Sequence, residues 1–257
     1  MIPALMASSS LVLLTGLIVP FCTGMVWILY KYRFWKMDTL VVDVKTQQAL
    51  RRYVLFESVH GKPDSVLLTY KEYAKQDRRI KGLIFTAEQD IFLADVVKKY
   101  NPLTAVALGT QCGYSAIQLL TLLPSNGKLY AVEQDENMVE SAEEMILVSG
   151  FKNQQFSMLF QHPIDAIHAL SNHINENKVD LVLMDHQPDQ YLQALQALEE
   201  VGVLHQGTLI LANNIEQSAA KEFMDHLQSH LYFEIISSCQ GLIAIQCTKT
   251  RVFNYND

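Results

Sequence analysis

From residue 104 onward the chain alternates short apolar runs with helical stretches, and this rhythm restricts the fold more than any other feature. The runs are "TAVALG" (104–109), "GKLYAVE" (127–133), "FSMLF" (156–160), "VDLVLMD" (179–185) and "GTLILA" (207–212). Short continuous apolar runs of this kind read as strands buried on both faces, as in a parallel sheet. Between them "YSAIQLLTLL" (114–123), "ENMVESAEEMILVSG" (136–150), residues 164–171 and "QYLQALQALEEVGVL" (190–204) read as helices, the second stopped by Gly150. A helix over 218–231 and strands around "YFEII" and "LIAIQCT" follow. Strands alternating with helices of this length predict an α/β fold built of βαβ units, a mainly parallel sheet with helices on both faces.

Ahead of this region "TQQALRRYVLFESVHGKPDSVLLTYKEYAKQ" reads as two helices parted at Gly61-Lys62-Pro63. "TAEQDIFLADVVKKY" starts a third helix, with Gln89 three residues after Thr86 in the spacing of a capping box, and Pro102 closes it. Residues 32–48 are expected to form a linker. The first thirty residues carry no charged side chain, and residues 11–30, "LVLLTGLIVPFCTGMVWILY", are long enough to cross a bilayer core. Trp27 and Tyr30 sit at the end of that run, and Lys31, Arg33 and Lys36 follow it. A cleaved signal peptide would carry a basic segment before the run, and a buried core helix is the other alternative. The expectation is a single transmembrane anchor over residues 1–31, a linker over 32–48 and one domain over 49–257 that faces the cytoplasm.

With 27 acids against 20 Lys and Arg, the net charge of −7 argues against a nucleic-acid partner. Cys22, Cys112, Cys239 and Cys247 show no metal or disulfide spacing, and no Asn-x-Ser/Thr sequon occurs.

In an open parallel sheet ligands bind beyond the carboxyl ends of the strands. That places Gly109 to Ser115, Glu133, Asp185-His186 and Asn213-Asn214 around one candidate site. The turn "LGTQCGYS" lacks the GxGxxG of a dinucleotide site, although Gly109 and Gly113 permit a tight turn and a close ligand. Glu133, about twenty residues on, suits two ribose hydroxyls; its plainer role is a solvated strand end. Together these suggest a nucleoside such as S-adenosylmethionine. Asp185, Asn213 and Asn214 could converge on a hard cation such as Mg2+, or the asparagines could serve a turn.

From about Arg51 to its end the sequence resembles the catechol O-methyltransferase family and its membrane-anchored relatives. The pieces that carry the resemblance are "LGTQCGYSA", "YAVEQDENM", "VDLVLMDHQPDQYL" and "LEEVGVLHQGTLILANNI". The resemblance implies a Rossmann-like, S-adenosylmethionine-dependent methyltransferase domain and Mg2+-assisted methyl transfer to a hydroxyl of a small aromatic. It puts Gly109, Tyr114 and Ser115 at the methionine end of the cofactor, Glu133 at the ribose and His186 beside the adenine. Asp185, Asn213 and Asn214 fall on the metal-ligand positions. Several positions depart from the pattern. Pro188 stands where the family has its catalytic lysine, so the catalytic base is unknown, and Gln187 stands where it has a tryptophan. Asn213 replaces an aspartate, Ala107 an acid, and Pro163-Ile164 a Ser-Gln pair; the substrate-side loop shrinks to "SSCQG". Two functions therefore stay open. One is an anchored O-methyltransferase with an altered site. The other is a catalytically silent relative that binds membrane proteins.

Overall fold

The computed structural model describes residues 42–174 and 178–249, together with Met25 and Trp27. The chain divides into two units, Met1–Val41 and Val42–Asp257. Apart from Met25 and Trp27, the anchor expected over residues 1–31 lies outside the described residues. Among the described residues no helix is long and apolar enough to cross a membrane.

The second unit opens with α1 (Val44–Glu57). This helix starts inside the segment read as a linker, because Asp43 accepts a hydrogen bond from Thr46 N at 3.1 Å and so caps it. Next come α2 (Pro63–Gln76), the single turn α3 (Arg78–Lys81) and α4 (Ala87–Tyr100). The capping box at Thr86 and Gln89 is present as the spacing predicts. The alternating part follows in chain order: β1 (Thr104–Leu108), α5 (Tyr114–Leu122), β2 (Lys128–Glu133), α6 (Glu136–Val148) and β3 (Phe156–Phe160). Then come α7 (Pro163–Ala169), β4 (Val179–Met184), α8 (Tyr191–Glu200), β5 (Leu204–Ala212), α9 (Lys221–Ser229), β6 (Phe233–Cys239) and β7 (Leu242–Cys247). The helix read over 190–204 stops at Glu200, since Gly202 turns the chain with φ 68° and β5 starts earlier than its most apolar part.

The strands form one sheet in the order β3-β2-β1-β4-β5-β7-β6. The first five are parallel to their neighbours, and β7 runs antiparallel to β5 and β6. The alternation of side chains across each strand explains the continuous apolar runs. Ala105, Ala107, Leu181, Leu183, Leu209 and Leu211 pack beneath α1, α2, α4, α5 and α6. Val106, Leu108, Val182, Met184 and Ile210 face α7, α8 and α9 on the other side. Sequence order reverses between β1 and β4, and the carboxyl ends of the parallel strands meet at that point.

Candidate functional site

The first turn out of the sheet is shaped by protein packing. Gly109 has φ +83°, and a Cβ there would lie 2.7 Å from the backbone N and Cα of His186. Gly113 has φ +89° and begins α5 against the backbone of Ala142, 3.1 Å from where a Cβ would sit. A side chain at either glycine would thus meet protein, β4's end at Gly109 and α6 at Gly113. Their absence of side chain lets the strand ends converge.

Glu133 closes β2 and is buried. Its Oε2 accepts from Gln111 N at 2.8 Å, and its Oε1 accepts from Gln134 N at 2.9 Å and Asp135 N at 3.2 Å. Three main-chain donors thus hold the carboxylate in one orientation. A carboxylate offers about four lone-pair positions, which leaves one on Oε2. Tyr114 is buried against Tyr70 and Phe85, with ring centroids 5.7 and 5.9 Å away. Its hydroxyl donates to Asp90 Oδ1 at 3.3 Å, and burial raises its pKa. The second oxygen of Asp90 pairs with Lys71.

Asp185 follows β4 and is buried, and this burial pushes its carboxyl up to about 6, helped by the charge of Glu133 and opposed by Asn213 and the Ser115 hydroxyl. Asn213 Nδ2 donates to Asp185 Oδ1 at 2.9 Å. On the far side Gln89 Nε2 donates to Asn213 Oδ1 at 3.3 Å. The direction of this relay is set by the main chain. Gln89 Oε1 accepts from Thr86 N at 2.9 Å, and Gln89 Nε2 donates to the Gln240 carbonyl at 2.9 Å. Neither backbone group can exchange roles, so the Gln89 amide points its N–H groups at Asn213. Asn213 must then offer its oxygen to Gln89 and its nitrogen to Asp185. Gln240 lies in the shortened "SSCQG" turn, a two-residue hairpin with φ 46° at Gln240 and 77° at Gly241. Its side chain accepts from the Thr86 hydroxyl at 2.7 Å.

Asn214 adopts φ 57°, and its carbonyl accepts from Gln217 N at 3.2 Å, so it serves a turn. His186 packs its ring on Tyr191 at 4.9 Å, and burial lowers its pKa to about 4, so the imidazole is neutral at pH 7. Among the described residues neither His186 ring nitrogen nor Thr110 Oγ1 has a well-aligned partner. Pro188 begins a short turn, Pro188–Gln190, that leads into α8. A narrow cleft of about 10 Å³, room for one water, is lined by Tyr70, Ile80, Leu83, Ile84, Tyr114 and Asp185.

The family described as O-methyltransferase matches residues 58–227. The chain belongs to the O-methyltransferase family. Mouse catechol O-methyltransferase is 29% identical over 204 residues, covering 77% of this chain and 74% of the relative. Human transmembrane O-methyltransferase is 31% identical over 183 residues, covering 69% of this chain but only 60% of the relative. Among solved structures, a Podospora anserina methyltransferase with SAH bound has TM-score 0.62 at 15% identity, covering 81% of this chain and 98% of that one. The SAM complex of TomG from Streptomyces achromogenes has TM-score 0.60 at 16% identity, covering 71% and 89%. These two show the shared methyltransferase fold.

Within this O-methyltransferase frame, the residues at the strand ends fit the two expected groups unequally. Glu133, with its one remaining lone pair beside the glycine turn, suits a polar ligand such as S-adenosylmethionine. The cation trio does not fit. Asn213 turns N–H toward Asp185, its oxygen is committed to Gln89, and Asn214 stands in a turn. A hard cation needs oxygen donors that converge, and Asp185, Asn213 and Asn214 do not offer them in this arrangement. Among the described residues no cluster of three or more His, Cys, Asp or Glu could hold a metal. Gln89 and Gln240 were missed from the sequence. The capping-box spacing showed one half of the Gln89 amide and gave no sign of where the other half points.

Proposed function

We propose that this chain is a membrane-anchored O-methyltransferase that binds S-adenosylmethionine and methylates a hydroxyl of a small aromatic acceptor. Its site has departed from the cation and lysine implied by its resemblance to the catechol family. The observation that carries the reading is Glu133, a strand-end carboxylate fixed by three backbone amides beside the glycine turn. The apolar run at residues 11–30 supports the anchor, as do relatives called transmembrane O-methyltransferase. The cofactor, when bound, supplies a methyl group activated on a sulfonium. Glu133 would hold the ribose through its remaining lone pair. The acceptor hydroxyl must give up its proton, and Pro188 cannot take it. Asp185 lines the cleft, and its pKa near 6 leaves it mostly ionised at neutral pH yet basic enough to accept a proton.

Calorimetric titration of the detergent-solubilised full-length protein with S-adenosylmethionine tests this reading. The expected result is saturable binding, weakened about tenfold to a hundredfold by Glu133→Ala, the range for a hydrogen bond to a charged group. Absence of binding at millimolar cofactor would overturn the enzyme. The second reading, a silent fold that binds membrane proteins, would then stand. It is favoured by the narrowness of the cleft, which Ile80, Leu83 and Ile84 nearly close.

A further inference from the structure

Beside the narrow cleft lies a larger cavity, about 400 Å³, walled by Lys71, Lys75, Arg78 and Lys81 and floored by Ile84 and Phe85. That volume suits a small organic ligand. Its charge is not a product of composition, since the chain as a whole carries a net −7. Lys71 and Lys75 stand four apart on α2, and Arg78 and Lys81 three apart on α3, so each pair shares a helix face. Like charges at these spacings repel and destabilise a helix. Lys71 is paired with Asp90. Among the described residues no carboxylate pairs with Lys75, Arg78 or Lys81, whereas the neighbouring Arg79 is taken by Asp77 and Asp43. Four cations thus face one cavity with one acid among them. The floor is apolar and joins the candidate site. Ile84 lines both the cavity and the cleft that holds Asp185, and Phe85 packs on Tyr114 next to the glycine turn.

We infer that this cavity takes the anionic end of the acceptor substrate, which is therefore a hydroxylated aromatic acid and not a catechol amine. The inference rests on the methyl-transfer reading for the identity of the ligand as acceptor. The aromatic ring meets Ile84 and Phe85, the anionic group meets the unpaired cations, and an ammonium group is repelled from the same place.

The test is calorimetric binding of 3,4-dihydroxybenzoate, catechol and dopamine to the full-length protein in detergent, with and without S-adenosylhomocysteine. Dihydroxybenzoate should bind tighter than dopamine by about tenfold or more at low salt, with the gap narrowing as salt screens it. The double variant Lys75→Glu/Arg78→Glu, at two exposed side chains, should abolish or invert the preference. Arg52→Glu, on an exposed part of α1, should leave it intact. Equal binding of acid and amine, tighter dopamine, a preference indifferent to the double variant, or no binding of any of the three overturns the inference. Methyl transfer from labelled cofactor separates the two claims. Charge-selective binding without any transfer leaves the anion pocket and removes the enzyme. Transfer without charge preference leaves the enzyme and removes the pocket.

Discussion

The carboxyl ends of β2 and β5 carry polar groups that are satisfied in opposite ways. Glu133, after β2, is held by N–H groups of the main chain, and these donors cannot move without moving the fold. Asn213, after β5, is held by other side chains in a relay from Gln89 to Asp185. A carboxylate fixed by backbone stays oriented and keeps acceptor capacity for a ligand. A side-chain relay consumes its own donors and acceptors and leaves little for a cation. One end of the site is thus set for a ligand, and the other is closed on itself.

The largest expected effect tests the first half of this contrast. Glu133→Ala leaves the amides of Gln111, Gln134 and Asp135 without their charged acceptor, and about 3 kcal/mol of stability should be lost. Urea unfolding of the wild type and variant measures it. A loss under about 1 kcal/mol would mean that water replaces the carboxylate, and the claimed rigidity would go with it.

Asp185 should show the reverse sign. Its folded value of about 6 lies above the ordinary 3.8. The folded protein therefore holds an extra proton between those values, so the stability from this group is full below pH 3.8 and lost as pH rises through 6. Above pH 6 the buried charge costs about 2–3 kcal/mol. Asp185→Asn keeps an acceptor for the Asn213 amide and removes the charge. It should stabilise the protein by about that amount at pH 7.5 and by almost nothing at pH 4. His186, lowered to about 4, loses its contribution as pH falls through that range, but it does so in both proteins and cancels in the difference. A gain that does not depend on pH would show that burial of the carboxylate is not its cause.

Asn213→Asp tests whether the relay is what excludes a cation. The new carboxylate would face Asp185 across the 2.9 Å contact that the amide now makes, with two negative groups and no donor between them. A divalent cation answers that repulsion. Millimolar Mg2+ should stabilise the variant by about 1–2 kcal/mol and the wild type not measurably, as read by thermal unfolding. An equal response in the wild type would mean that the relay opens for the ion.

The strands were legible in the sequence because both sheet faces are buried, so that every residue of a run such as 105–108 is apolar. The site residues at the strand ends were legible because parallel topology puts them there. Their partners were not. Gln89 meets Asn213 across 124 positions and Gln240 across 151, and no local pattern carries contacts of that range. The glycine at 109 reads from sequence as permitting a tight turn and a close ligand, yet the backbone of His186, which only the β1–β4 pairing brings near, is what requires it. Asn213 is placed at the site by its strand end and by the family resemblance, and neither tells which end of an amide faces the site.

Gln89→Glu would reverse that end with the smallest change of shape. The variant keeps the oxygen that accepts from Thr86 N, so the cap of α4 survives. It replaces the Nε2 donor with a second oxygen, which would then face the Gln240 carbonyl and Asn213 Oδ1, both acceptors. Asn213 can relieve the clash by turning its amide over, giving N–H to the new carboxylate and its oxygen toward Asp185. The lost hydrogen bonds should cost about 1 kcal/mol. The site would then hold an oxygen donor beside the Asp185 carboxylate with its nitrogen turned away. Mg2+ should stabilise this variant detectably, though less than Asn213→Asp, because only one negative group faces the ion. The Asn213 side-chain amide resonances should shift in NMR spectra whether or not Mg2+ is added. If those resonances stay in place and Mg2+ has no effect, Gln89 does not set the polarity of the relay. The closed end of the site would then owe its state to Asp185 and Asn213 alone.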